Sequence, residues 1–153
     1  IAKKEIIYIP IWGWAFALSG GIMINRQKSR SAVASIRDAL KKLPRNWSIL
    51  LFPEGTRSSD GKLGSFKRGA FHIAQQMNVP IIPMGLVGPS EALPKRSWFV
   101  RPTHVVLSVG EPVHISNWDR HSTDEWAEIF REKVAVQMDE AQKIRQRLIL
   151  QAR

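Results

Sequence analysis

Between residues 31 and 43, Ala32, Val33, Ile36, Ala39, Leu40 and Leu43 recur at three- and four-residue spacing, while Arg37, Asp38, Lys41 and Lys42 take other positions. One apolar stripe on a 3.6-residue period predicts an amphipathic helix packed on a core. Upstream, residues 6–24 carry no charged side chain, a run long enough on length alone to suit a membrane-spanning helix. Pro10, Gly13, Ser19, Gly20 and Gly21 interrupt it, so the better division is an apolar loop, a helix over 12–18 and a strand over 22–25. Three destinations remain open for its apolar surface: a membrane span, rest on a bilayer, or burial. A secretory signal is not supported, because no small-residue cleavage pattern follows.

The pattern then changes from helical period to short continuous runs. Ile49, Leu50, Leu51 and Phe52 predict a buried strand that Pro53 ends. Residues 70–77 read as a helix, and a second apolar run over 81–88 reads as a strand, so strand, charged loop, helix and strand form a βαβ unit. A further strand is predicted over 104–110, stopped by Glu111 and Pro112. Ser122 and Glu125 have the spacing of a capping box, and a helix follows over 122–153, with Trp126, Ile129, Phe130, Val134, Met138, Ala141, Ile144 and Leu148 on its apolar face. From residue 143 this segment turns basic and reads as a solvated tail, with contact to a surface as the alternative.

The candidate chemistry lies where the first buried run breaks. Phe52-Pro53-Glu54-Gly55-Thr56-Arg57 brings a carboxylate, a flexible glycine, a hydroxyl and a guanidinium to one turn. Gly55 lets backbone approach an anion with no Cβ in the way, and the Arg57 fork matches two phosphate oxygens. Phe66-Lys67-Arg68-Gly69 adds two cations where the next helix opens. Each assignment has a structural alternative: Arg57 in an ion pair with Glu54 or another acid, Lys67 as a solvated loop charge.

Composition narrows the classes. The 153 residues are 44% hydrophobic and 24% charged, which suits one domain with one core, spanning 1–153. The chain has no cysteine, which excludes disulfides and a thiol nucleophile, and no His, Asp or Glu cluster has metal-ligand spacing, so no metal site is expected. A net charge of +10, from 23 basic against 13 acidic residues, points to anionic partners. No nucleic-acid motif accompanies that charge, so nucleic acid is not expected. An anionic lipid surface suits it better, and Lys95-Arg96-Ser97-Trp98-Phe99-Val100-Arg101 mixes cations with interfacial aromatics. The alternative for that cluster is a solvated loop with one buried Trp.

Three blocks now stand in order: Gly21-Ile22-Met23-Ile24-Asn25-Arg26, Phe52-Pro53-Glu54-Gly55-Thr56-Arg57, and Val79-Pro80-Ile81-Ile82-Pro83. With Ala2-Lys3-Lys4-Glu5, Ile9-Pro10-Ile11-Trp12-Gly13-Trp14, Phe66-Lys67-Arg68-Gly69-Ala70 and Val109-Gly110-Glu111-Pro112, the chain over residues 1–116 resembles the 1-acyl-glycerol-3-phosphate (lysophosphatidic acid) acyltransferases. The resemblance implies an α/β fold, a mixed, largely parallel sheet flanked by helices. It also implies transfer of a fatty acyl group from coenzyme A or an acyl carrier protein to the free hydroxyl of a lysophospholipid phosphate, in phospholipid biosynthesis, with no cofactor beyond the acyl donor.

The same resemblance assigns roles. Arg57 grips the phosphate, with Arg26 and Lys67 as further anionic contacts and Lys3 a weaker one; Glu54 organises the loop or orients the glycerol, Gly55 allows close approach and Thr56 donates a hydrogen bond. Family catalysis rests on a His-x4-Asp block N-terminal to the Ala-Lys-Lys-Glu segment, and no residue of this chain is assigned as the base, so an N-terminally truncated domain is expected. His114 and Asp119 repeat that spacing but in the wrong place in the order, and His72, His104 and His121 have no carboxylate at matching spacing. The expected setting is the cytoplasmic face of a membrane, with an anionic membrane surface and an acyl carrier protein as possible partners. Two alternatives stay open: a non-catalytic domain that binds anionic lipid, and an acyltransferase of the same fold with another acceptor.

Overall fold

The computed structural model describes residues 2–3, 7–9, 12–19, 21, 23–24, 44, 48–56, 58, 62–94, 97, 99–114 and 122–152. They belong to two compact units, Ile1–Leu51 and Phe52–Arg153. In the first, β1 (Ala2–Lys3) pairs in parallel with β2 (Met23–Ile24), in the register Ala2 with Met23 and Lys3 with Ile24. Parallel partners need a crossover between them, and here it contains α1 (Trp12–Leu18). The apolar stretch is therefore divided as its Pro and Gly residues predict. Tyr8, Trp14 and Leu18 are exposed. The helix predicted over 31–43 lies outside the described residues.

The second unit is built from α2 (Gly69–Met77), β3 (Met84–Val87), α3 (Pro89–Ala92), β4 (Val106–Val109) and α4 (Thr123–Gln151). Strands β3 and β4 are antiparallel, pairing Met84 with Val109 and Leu86 with Leu107, and a bridge between Ile81 and Val113 continues the pairing. Helix α2 ends because Asn78 takes a left-handed conformation, φ 48°, and returns its N–H to Ala74 and Gln75, the kind of cap that Asn tolerates. At the start of α4, Ser122 Oγ accepts from the Glu125 N–H, and Glu125 accepts from the Ser122 N–H at 2.6 Å. The predicted capping box is formed.

Helix α4 organises this unit along its length. Near its start, Ala127 and Phe130 meet Phe71 and Ala74 of α2, and the Phe71 and Phe130 rings lie 5.6 Å apart. In the middle it crosses β3 so closely that a Cβ on Gly85 would strike the backbone of Gln137 and Met138, which makes glycine the residue this crossing allows. There Ser108 Oγ donates to Gln137 Oε1 at 2.7 Å.

Two expectations need correction. Residues 48–52 are not in a strand, and Leu50 and Phe52 are exposed; an apolar run supplies propensity, which tertiary context can override. Among the described residues the first strand of the expected βαβ unit is therefore missing, and the strand pairings are one parallel and one antiparallel. The basic end of α4 is not simply a solvated tail. Arg145 is buried, and helix geometry continues to Gln151, because Arg145 stands one turn beyond the fully buried Ala141 on the same face and has acceptors waiting for it.

Candidate phosphate-binding turn

The turn starts from its backbone. Gly55 N–H donates to Phe52 O at 3.1 Å, closing a four-residue turn with Pro53 second and Gly55 fourth. Glu54 is not among the described residues with positive φ, which a type II turn would require at its third position; Pro second and Gly fourth are the type I preference. Gly55 itself sits at φ +72°, a region where a Cβ costs about 1–2 kcal/mol.

A second segment folds back onto this turn. The Lys67 N–H donates to Pro53 O at 2.9 Å, and the Gly64 N–H donates to Glu54 Oε2 at 2.8 Å. As a result the Lys67 side chain lies over Gly55, its Nζ and Cε each 3.1 Å from where a Cβ on Gly55 would stand. Glycine at 55 thus serves two ends, the left-handed backbone and the room for a lysine stem. Its own N–H is engaged by Phe52 and is not aimed outward.

The predicted site residues divide as follows. Glu54, Gly55 and Lys67 are brought together in one bonded loop, with Thr56 adjacent and exposed. Arg57 and Arg26 lie outside the described residues. Lys3 is in β1. Arg68, the other cation at the opening of α2, pairs with Asp124 at 3.0 Å and so braces the helix against the start of α4. His72, His104 and His114 are exposed; His121 and Asp119 lie outside the described residues. Among the described residues no group of three His, Cys, Asp or Glu is placed to hold a metal ion, and no helix is long and apolar enough to cross a membrane.

Sequence reasoning missed a second polar centre. Arg145 donates from Nη1 to Glu91 Oε1 at 2.8 Å, from Nη2 to Glu91 Oε2, from Nε to His104 O at 2.8 Å and from Nη2 to Thr103 Oγ1 at 3.0 Å. The guanidinium hydrogen bonds hold the Glu91 carboxyl below its ordinary range and raise Arg145 further. Its spacing from Ala141 was the available signal: an arginine at i+4 from a small residue on an apolar face. Of the Lys95 to Arg101 cluster, Phe99 and Val100 are exposed at 81% and 74%. Ser97 Oγ donates to Phe99 O and accepts from the Phe99 N–H. Lys95, Arg96 and Trp98 lie outside the described residues.

The profile of the acyltransferase family matches residues 1–87. A 1-acyl-sn-glycerol-3-phosphate acyltransferase of Cocos nucifera is 35% identical over 144 residues, 94% of this chain and 47% of its own length, and one of Limnanthes alba is 33% identical over 94% of this chain and 51% of its own. In structure, the chain is similar to the 1-acyl-sn-glycerophosphate acyltransferase PlsC of Thermotoga maritima, with a TM-score of 0.73, 31% identity, and coverage of 91% of this chain and 54% of that one. The chain spans about half the length of the curated relatives it matches.

Proposed function

This chain belongs to the acyltransferase family, and from that membership we propose that the protein acylates lysophosphatidic acid to phosphatidic acid in phospholipid biosynthesis. The observation that carries the reading is the turn at 52–55 with the Lys67 ammonium held over Gly55, a cation on a loop of phosphate size in a chain similar to enzymes named for 1-acyl-sn-glycerol-3-phosphate.

In this reaction the acceptor hydroxyl oxygen attacks the thioester carbonyl, the new C–O bond forms, the C–S bond breaks, and the proton passes by way of a general base to the departing thiolate. A base contributes about 10²–10⁴-fold, and phosphate binding contributes position and affinity. The residues of this chain carry the second task. Arg57 is the principal phosphate ligand, Lys67 and Arg26 add charge, Lys3 contributes less, and Thr56 donates a hydrogen bond. The donor is an acyl thioester of coenzyme A or of an acyl carrier protein, with no cofactor or metal. The proposed setting is a single acyltransferase domain with a largely parallel sheet, attached to the cytoplasmic face of an anionic membrane. Exposed Tyr8, Trp14 and Leu18 in the first unit and, taken separately, exposed Phe99 and Val100 in the second support a membrane surface as partner, since aromatic and apolar side chains rest in its interfacial layer.

The test is acyl transfer by the full-length protein to lysophosphatidic acid presented in liposomes, with acyl-coenzyme A and acyl carrier protein as alternative donors. Charge-assisted hydrogen bonds contribute about 1.5–3 kcal/mol, so Arg57→Ala is expected to lower kcat/KM for lysophosphatidic acid by roughly one to two orders of magnitude. A protein that binds the liposomes and transfers no acyl group, or an Arg57→Ala enzyme with unchanged kcat/KM, overturns the proposal.

A further inference from the structure

Resting on the acyl-transfer reading, we propose that Glu54 is a positioning residue. Its carboxylate latches the returning segment through Gly64, keeps Lys67 over the turn, and makes no contact with lysophosphatidic acid. Two bonds join the strands of this loop, Glu54 Oε2 with the Gly64 N–H at 2.8 Å and Pro53 O with the Lys67 N–H at 2.9 Å. They bracket the four residues 64–67, so the direction in which Lys67 leaves the backbone is fixed at both ends of that segment. A carboxylate acceptor makes the first of these the stronger kind of hydrogen bond.

Position 64 is shaped for this. A Cβ there would come within 3.1 Å of Glu54 Oε2, a tight contact that glycine avoids. The charge balance points the same way. A free carboxylate turned toward a phosphate would repel it across a few ångströms, whereas the Glu54 carboxylate is engaged by the Gly64 N–H and the side chain that lies over Gly55 is that of Lys67. The Gly55 N–H is already engaged by Phe52, so the turn offers this lysine, and not that amide, to an anion.

Three variants of the full-length enzyme separate latch from ligand. Glu54→Gln keeps an acceptor oxygen at the same reach and loses the charge; Glu54→Asp keeps the charge and falls short by one methylene; Glu54→Ala loses both. The latch predicts that Ala and Asp each raise KM for lysophosphatidic acid by about 5–10-fold with kcat within about twofold, and that Gln recovers most of the loss. A Gln variant as poor as Ala, or an Asp variant close to wild type, overturns it. The second readout needs no turnover: amine labelling of Lys67, quantified by mass spectrometry, is expected to change in rate for Ala and Asp and to stay at the wild-type rate for Gln. Equal labelling in all three sinks the latch even where a variant is too unstable to assay. A wild-type protein that never acylates lysophosphatidic acid defeats the functional reading instead, and the labelling pattern then still decides the latch.

Discussion

Arg145 and Lys67 belong to the same compact unit and use a positive charge in opposite ways. Arg145 is buried at 5% exposure and its guanidinium meets Glu91, Thr103 and the His104 carbonyl. Lys67 is exposed, its backbone is tied to Pro53, and among the described residues its ammonium enters no ion pair. A planar fork suits several fixed acceptors at once, while a compact ammonium on a flexible stem suits a partner that comes and goes. The scaffold cation donates four hydrogen bonds within the protein, and the site cation is left for another partner. That contrast separates structural charge from functional charge more sharply than charge count does.

The largest expected effect lies on the scaffold side. Phe130 is 2% exposed and packs on Phe71 and Trp126. Phe130→Ala leaves a cavity where α2 meets α4 and is expected to lower stability by about 3–5 kcal/mol in chemical denaturation. Below its unfolding range the variant should keep nearly the wild-type KM for lysophosphatidic acid. A KM that rises several-fold while the protein is folded would show that the turn depends on this core, and the two regions would not be separable.

Next comes Arg145→Ala, expected to cost about 1–3 kcal/mol, because it strips the His104 carbonyl and Thr103 of their donor and opens a gap beside Ala141. Glu91→Ala should cost clearly less, since the Glu91 side chain is 61% exposed and water replaces much of what it loses. Equal losses from the two variants would mean that the ion pair itself, and not the satisfied buried guanidinium, carries the stability.

How far the sequence revealed each region follows from sequence separation. The capping box spans four residues and helix α1 is bounded by its own breakers, so both were legible. The partners of Arg145 are 41 and 54 residues away, and no local pattern announces them. The turn was half legible: Pro53 and Gly55 declared it, but the return of Gly64 to Glu54 depends on how the intervening residues fold. The strand expected at 49–52 failed for a related reason, since propensity is local and pairing is not.

On the site side, Gly55→Ala is expected to cost about 1 kcal/mol through its left-handed backbone and to push the Lys67 stem aside. It should raise KM for lysophosphatidic acid beyond what that loss of stability explains. Stability lost with KM unchanged would reduce Gly55 to a backbone device.

The smallest effect is the pH response of Glu91. Its hydrogen bonds from Arg145 lower its pKa from the ordinary value of 4.5, so the folded state holds this proton less tightly than the unfolded chain does. The stabilisation is fully present above about pH 4.5 and fades as pH falls through the lower folded value. Because the carboxylate is largely exposed, solvent keeps the effect under about 1 kcal/mol. Denaturation midpoints measured from pH 6 down to about 3 should therefore fall somewhat more steeply for the wild type than for Glu91→Gln, which has no proton to gain. If the two profiles run parallel through that window, Glu91 carries no pH-dependent share of the brace, and Arg145 is held by Thr103 and the His104 carbonyl.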